Sequence, residues 1–241
     1  MSSWKHMFQI VCVATTVLHT SSIVEARQLN IAPVFQETPV WCWLASMEMS
    51  LKHYGVPNLN RSGDYQCGLV ATLGGPCAVD CRQCVFAGGS MPNISRVMDN
   101  YPAVAVNVLN KLVTRLSSTN LPHRFAQGAN YNLLVDGFIY DNIDNGHPII
   151  AGISPGSAPG SVFKYPPGIS EHVAVIIGVE GRGPGALLTV NDPYPYKPHE
   201  DPYLRIGAHK NVPGQYSIGV ERFATNLNWT NSIIMRSGPI R

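Results

Sequence analysis

The 241-residue sequence has few charged residues: Asp, Glu, Lys and Arg together make up 13% of it, against about 25% in a typical globular domain. This shortage argues against a disordered or solvating segment. The net charge is only +2 and no cluster of Lys or Arg is present, which argues against a nucleic-acid partner. Heptads, internal repeats and low-complexity tracts are also lacking. With 45% hydrophobic residues, the composition predicts one compact globular domain.

The sequence also lacks an apolar run long enough to span a bilayer, which takes about 20 residues. The N-terminal run at residues 8–18 has only 11 residues and polar side chains interrupt it. Lys5 precedes this run and Val24-Glu25-Ala26 follows it, which is the order of a secretory signal. We therefore predict a signal peptide at residues 1–26, no stable membrane anchor, and a secreted chain, extracellular or periplasmic. A buried N-terminal helix is the alternative.

The six cysteines fall into two groups once Cys12 is assigned to the signal. A cluster of four stands at Cys67, Cys77, Cys81 and Cys84. In an oxidising compartment these thiols predict two disulfides, and the sequence leaves all three connectivities open. A zinc site is the alternative, because Cys81 and Cys84 have ligand-like spacing, but a second such pair is missing. Cys42 is then the odd cysteine, and an unpaired thiol in a secreted protein requires a reason.

Helical patterns dominate the first half of the chain. From Cys42 onward, large apolar side chains recur every three or four residues as far as Tyr54, which predicts one helix that Gly55 ends. We expect residues 27–38 to be extended and 56–92 to be a stapled loop. Further helices are predicted at residues 94–100, 104–116 and 130–145, although 103–106 has the composition of a strand as well.

Short apolar runs rich in Ile and Val dominate the second half, and Gly, Pro or Asn bound them. Strands are therefore predicted at residues 148–153, 173–179, 187–191, 216–220 and 232–236. Helices first and strands second is the order of an α+β fold. We expect one domain over 27–241, with a mainly helical lobe at 27–145, a β lobe at 146–241, and a site in the cleft between them.

Cys42 stands at the predicted start of its helix, where unpaired backbone N–H groups and the positive end of the macrodipole favour a thiolate. A thiolate is the reactive form of cysteine. Gln36 lies six residues upstream on the extended arm and could aim its amide at an oxygen beside the sulfur. With the Cys42 backbone N–H it would form an oxyanion hole. In the alternative interpretation, Cys42 is a small core residue between two packing tryptophans.

His172 and Asp192 stand 20 residues apart, at the head of one predicted strand and just after the next. A histidine at a strand mouth can act as a general base for a thiol, and a carboxylate can fix its tautomer. Asn191 competes for the second role, and only one of the two neighbours can face His172, because strand side chains alternate. Otherwise His172 is a structural histidine, and residues 191–193 are merely a turn.

These residues and their order resemble the papain-like cysteine peptidases. The resemblance rests on Gln36-x5-Cys42-Trp43, the His172 strand with Gly178, and Asn191-Asp192-Pro193. Trp41-Cys42-Trp43 and Gly146-His147-Pro148-Ile149-Ile150 are most similar to a compact secreted and bacterial branch, which includes the bacteriocin-processing double-glycine peptidases and related effector proteases. It implies Cys42 as nucleophile, His172 as base, Asp192 as its orienting partner and Gln36 as oxyanion donor.

The function that this resemblance implies is a secreted cysteine endopeptidase that works through an acyl-thioester. It needs no metal or organic cofactor, takes a protein or peptide substrate, and is expected to be a monomer. Two alternatives stay open. One is another cysteine-dependent acyl-transfer enzyme, such as an amidase, deamidase or transglutaminase-like enzyme. The other is a catalytically inactive secreted binding or toxin module.

Overall fold

A computed structural model of the chain describes residues 26–86, 88–109, 115–122, 130–131, 133–157 and 171–238. The predicted signal peptide lies outside these residues, apart from Ala26. Within the described ranges, no helix combines the length and the apolar character that crossing a bilayer requires.

Seven α-helices occur in the described residues: α1 (Cys42–His53), α2 (Tyr65–Ala71), α3 (Pro76–Val79), α4 (Met91–Leu109), α5 (Tyr140–Asp144), α6 (Pro202–Arg205) and α7 (Val220–Asn226). Short 3₁₀ helices occupy Cys81–Cys84, Pro155–Ser157 and Gly183–Gly185, and a π-helix at Leu133–Ile139 leads into α5. The strands are β1 (Ala26–Gln28), β2 (Arg115–Pro122), β3 (Ile149–Ile153), β4 (His172–Glu180), β5 (Leu187–Asn191), β6 (His209–Val212), β7 (Gln215–Gly219) and β8 (Trp229–Gly238).

All eight described strands join one antiparallel sheet in the order β2-β8-β3-β4-β5-β7-β6, and β1 pairs with β4. The sheet carries a core on each face, because side chains alternate along its strands. In β4, Val173, Val175 and Ile177 pack with α1, α2 and α4, whereas Ala174 and Ile176 pack with α5 and α7. The predicted α+β class is confirmed.

Helix α1 forms where the sequence predicts it, and Gly55 follows it with a φ of +72°. Its burial is wider than the predicted single face: every residue from Cys42 to Leu51 is buried. A helix enclosed on all sides must satisfy its polar side chains internally. Ser46 therefore donates to the carbonyl of Val173, and Glu48 accepts a hydrogen bond from Gln66.

Two predictions in the first half are wrong in part. Residues 56–92 are not simply a loop, since they contain α2, α3 and the start of α4. The predicted helices at 94–100 and 104–116 are one helix as far as Leu109, while Leu116 lies in β2 and pairs with β8. Pairing of β2 with a strand more than 100 residues away leaves no local periodicity for a sequence pattern to detect.

The later predictions agree better. The five predicted strands correspond to β3, β4, β5, β7 and β8 within one to three residues at each end. The predicted segment at 130–145 is helical in its described residues from 133 to 144, and the Asn130 side chain accepts a hydrogen bond from the N–H of Leu133. Gly146 then ends α5 with a φ of +76°.

Gly178 pairs with Gln28 where β1 lies against β4. A Cβ atom at this position would lie 2.9 Å from the backbone oxygen of Arg27 and 3.1 Å from the side chain of Gln28. Backbone cannot move aside as a flexible side chain can, so only glycine lets the two strands approach in this way. This contact explains the glycine in the His172 strand.

We expect Gly178→Ala to lower the free energy of unfolding by about 1–3 kcal/mol, because the added methyl group pushes β1 away from β4. Gly137→Ala is the matched control, since nothing lies within 4 Å of a Cβ atom at Gly137. Denaturant unfolding of both variants measures the difference. Equal stability of the two variants would show that β1 tolerates the extra atom.

Candidate active site

Cys42 is the first residue of α1, and its side chain is buried with a residue exposure of 9%. It is the free cysteine of the described residues. Trp41 precedes it at the N-cap position and makes no side-chain hydrogen bond to the first turn. The first turn of α1 therefore lacks the usual Ser or Asp cap beside the sulfur.

His172 and Asp192 meet because β4 and β5 are antiparallel neighbours. One strand begins at the same end of the sheet where the other finishes. His172 Nε2 donates a hydrogen bond to Asp192 Oδ1 at 2.7 Å, and the side chains are 1% and 0% exposed. The pair is therefore shielded from water. A buried charge needs an oppositely charged or hydrogen-bonding partner, and each of these two side chains supplies one to the other.

Cys42 also forms a side-chain hydrogen bond with the His172 ring. Since Nε2 is directed to Asp192, Nδ1 is the ring nitrogen left for the sulfur. Burial by itself lowers the pKa of His172, because it disfavours a charged ring. The carboxylate of Asp192 and the hydrogen bonds and electrostatic interactions with Asp192 and Cys42 outweigh this effect and raise the pKa of His172 to about 10. The arrangement favours a charged imidazolium ring beside Asp192.

Two tyrosines that follow Asp192 hold its carboxylate in place. The backbone N–H of Tyr194 donates to Oδ1 at 2.8 Å, and the hydroxyl of Tyr196 donates to Oδ2 at 3.3 Å. Both rings also lie edge-on to the His172 ring, with centroids 6.0 and 6.4 Å away. Sequence reasoning missed these two residues. They stand two and four positions after Asp192 and alternate with prolines, a pattern that indicates a turn that brings them back to Asp192.

Asn191 is directed elsewhere. Its amide nitrogen donates to the carbonyl of Ile31 at 2.9 Å, and its amide oxygen accepts from Gln215 at 2.9 Å. Both ends of the buried amide are thus used to fix the N-terminal arm against β7. The alternation along β5 separates the two candidate partners of His172, and Asp192 is the one that lies beside the ring.

Gln36 lies on the arm before α1 and is also buried. Its backbone N–H donates to the carbonyl of Pro193 at 3.0 Å, which joins the arm to the residue after Asp192. Its side-chain Nε2 donates to the carbonyl of Thr38 at 2.8 Å, while Oε1 has no hydrogen-bond partner among the described residues. Gln36 does not line the cavity beside Cys42.

That cavity has a volume of about 390 Å³ and is shared by Cys42 and His172. It opens between the start of α1 and the ends of β3, β4 and β8, so it lies between the helical layer and the sheet. Glycines keep it open: a Cβ atom at Gly89 would lie 2.3 Å from the Trp43 side chain. The other lining residues are Val40, Gly88, Ser90, Gly152, Ile153, Ser154, Glu171, Val173, Thr230 and Asn231.

The cysteine cluster forms two disulfides, Cys67–Cys81 and Cys77–Cys84, as predicted. This pairing occupies all four thiols that the zinc alternative would use, and it is one of the three connectivities that the sequence leaves open. The stapled segment supports the arm before Cys42. Trp41 Nε1 donates to the carbonyl of Cys84 and Thr38 Oγ1 to the carbonyl of Val85, each at 3.0 Å.

Three comparisons with known proteins complete the description. The profile of the "Peptidase_C39 like family" matches residues 28–211. No curated protein sequence matches the chain. Among solved structures, the chain is similar to a double glycine motif protease from an AMS/PCAT transporter, crystallised with the leader peptide. The TM-score is 0.39 and the identity 14%, over 89% of this chain and 95% of that chain.

We expect Asp192→Asn to lower the pKa of His172 well below its native value of about 10, because the largest influence that raises it is removed. In the native protein, the stability that the imidazolium contributes is present below pH 6.5 and is lost as the pH rises through about 10. In the variant that loss moves to lower pH. NMR titration of the His172 ring measures the shift.

Asp136→Asn is the control, because Asp136 is an exposed carboxylate paired with Arg182 on another part of the surface. Its substitution should leave the titration of His172 unchanged. If Asp192→Asn and native protein titrate at the same pH, then the 2.7 Å contact does not govern the charge of the ring.

Proposed function

Since the chain belongs to the Peptidase_C39-like family and is a cysteine-type peptidase, we propose that it is a secreted endopeptidase with a Cys42–His172–Asp192 triad. The family confirms the resemblance to papain-like peptidases. The observation that carries the triad is the buried chain of hydrogen bonds from Cys42 through His172 to Asp192. In thiol catalysis these residues would serve, in that order, as nucleophile, base and orienting partner.

In the proposed mechanism, the Cys42 thiolate attacks the carbonyl carbon of a peptide bond, and the carbonyl oxygen takes up the negative charge. The His172 imidazolium gives its proton to the leaving amine as the C–N bond breaks, which leaves an acyl-thioester on Cys42. Water, deprotonated by the neutral ring, then attacks the thioester. The acid product leaves and the thiolate–imidazolium pair is restored.

Asp192 keeps the ring oriented throughout this cycle. Its carboxylate accepts from Nε2, which leaves Nδ1 to exchange the proton with the sulfur, the leaving amine and water. Tyr194 and Tyr196 support this role because both donate to the same carboxylate and cover the ring. They are positioning residues, since they act through Asp192 and His172.

The proposed oxyanion hole consists of the Cys42 backbone N–H and the Gln36 side-chain amide. An uncapped helix start supports the first donor. For the second, Nε2 carries two hydrogens, and the bond to the carbonyl of Thr38 uses one of them. That bond holds the amide group on the arm immediately before α1 and leaves the other hydrogen for a substrate oxygen.

Secretion is part of the proposal. Two disulfides within a stretch of 18 residues favour an oxidising compartment. The N-terminal segment has the charge, apolar run and small final residue of a cleavable signal. The first described strand, Ala26–Gln28, includes the last residue of that segment, and its other two residues follow the proposed cleavage point.

The central test uses the full chain, expressed in a secreting host, and a casein-derived peptide. We expect Cys42→Ala to reduce cleavage by about 10⁴-fold or more without unfolding the protein, because the nucleophile is lost. Lys52→Ala, at the far end of α1, is the control and should cleave normally. Mass spectrometry identifies the products, and the intact mass should correspond to a chain that begins at Arg27.

Each result of this test discriminates between functions. Peptide fragments indicate hydrolysis of the chain, whereas loss of ammonia from a glutamine side chain indicates an amidase or deamidase. Wild-type cleavage by the Cys42→Ala variant would refute thiol catalysis. An unreactive Cys42, in a native protein that cleaves nothing, would indicate a binding module.

A second prediction concerns Gln36. We expect Gln36→Ala to lower kcat by about 10²-fold with little change in KM, because an oxyanion donor acts mainly in the transition state. Gln83→Ala removes an exposed amide from the stapled segment and serves as the control. Steady-state kinetics on the same peptide separates the two constants, and an unchanged kcat would exclude Gln36 from the oxyanion hole.

A further inference from the structure

The floor of the cavity beside Cys42 is built from Gly152 on β3 and Asn231 on β8. These two residues are direct partners in the sheet, but the pairing slips immediately afterwards, so that Ile153 pairs with Trp229. Such a bulge re-aims the side chains next to it. Asn231 fills the space above Gly152, where a Cβ atom would lie 1.9 Å from the Asn231 amide oxygen.

The amide oxygen of Asn231 is buried and has no hydrogen-bond partner in the described part of the chain. A buried acceptor without a donor costs free energy, because it has lost its water. Asn231 lines the cavity that Cys42 and His172 also line. Rotation of the Asn231 side chain away from Gly152 would present this oxygen to a substrate group that carries N–H donors.

Glu171 supplies a negative charge to the same cavity. It directly precedes His172, is exposed, and lines the cavity wall. Among the described lining residues, the positive charge of His172 is already paired with Asp192, and no Lys or Arg is present to neutralise Glu171. The cavity thus combines a carboxylate with an unpaired amide oxygen, and both are hydrogen-bond acceptors.

Part of the remaining wall is apolar, and Ser90, Ser154 and Thr230 add hydroxyl groups to it. Val40, Trp43 and Ile153 line the cavity with hydrocarbon surface. Lys and Arg side chains match this combination, because an aliphatic stem can pack on apolar walls while a cationic head reaches polar groups. An acidic side chain would be repelled by Glu171, and an aliphatic one would leave both acceptors unsatisfied.

From this geometry we propose that the cavity is a substrate-binding subsite for a Lys or Arg side chain close to the scissile bond, with Glu171 and Asn231 as its specificity-determining residues. The subsite rests on the proposed peptidase function, since it is defined by its position beside Cys42 and His172. Glu171 pairs with the cationic head, and the Asn231 amide oxygen accepts one of its N–H groups.

The experiment measures binding, so that it does not depend on turnover. The full-length Cys42→Ala variant is titrated with fluorescent decapeptides. Each peptide carries Lys, Arg, norleucine or Glu at one test position and is otherwise identical. The test position is moved along the peptide from one series to the next. Fluorescence anisotropy gives the affinities. At one position we expect Lys and Arg to bind about tenfold more tightly than norleucine, and Glu most weakly.

Two further substitutions in the same background assign this preference. Glu171→Gln should reduce the advantage of Lys over norleucine to about threefold or less, because the charge is lost while the shape is kept. Asn231→Leu should weaken Lys and Arg peptides but not norleucine peptides. Glu180→Gln is the matched control: it removes an exposed carboxylate from the other end of β4 and should leave the preference intact.

Equal affinities for Lys, Arg and norleucine at every position would overturn the subsite, as would a basic preference that survives Glu171→Gln. The Asn231→Leu result is interpreted only if thermal unfolding of that variant is cooperative. If it does not fold, the Glu171→Gln variant still tests the subsite, because Glu171 is exposed and its substitution does not disturb the core. Binding without cleavage by the native protein would reject the peptidase mechanism and retain the subsite. Cleavage without a basic preference would do the reverse.

Discussion

The hydrogen bond between His172 and Asp192 is the contact on which the rest of the site depends. Both side chains are almost completely buried, where an isolated charge is strongly disfavoured. Each charge therefore stabilises the other, and the hydroxyl of Tyr196 and the N–H of Tyr194 satisfy the remaining carboxylate positions. The result is a ring that keeps its proton at a pH far above the usual histidine range, directly beside the only described free thiol.

The register of β4 against β5 determines which side chain reaches that ring. Val175 pairs with Asn191, so Asp192, the next residue, lies opposite the start of β4. A slip of one residue would exchange Asp192 for Asn191 and turn the carboxylate away. Asn191 itself resists this slip, because its amide is hydrogen-bonded to the arm at Ile31 and to Gln215 on β7. Asn191, the alternative partner for His172, thus stabilises the strand register in which Asp192 is the partner.

Sequence reasoning located α1 and five of the strands, because each depends on local periodicity, and the order of the motifs predicted that Cys42, His172 and Asp192 lie close together. It did not find α2 and α3, whose short lengths carry little periodic signal, nor β2, whose partner is β8. The pairing of Cys67 with Cys81 was undecidable, since spacing does not specify distance in space. Asn231 was missed for a similar reason: its importance comes from a bulge and from a glycine on another strand.

The arm that precedes Cys42 links the proposed compartment to the proposed chemistry. On one side, the backbone N–H of Gln36 donates a hydrogen bond to the carbonyl of Pro193, next to Asp192. On the other side, the Trp41 and Thr38 side chains donate hydrogen bonds to the carbonyls of Cys84 and Val85, at the end of the segment that the Cys77–Cys84 disulfide closes. The two disulfides within this short segment stabilise its order, because they restrict the unfolded chain. Oxidation of the cluster therefore does more than stabilise a surface loop: it fixes one of the two supports that hold Gln36 and the start of α1 in register with the sheet.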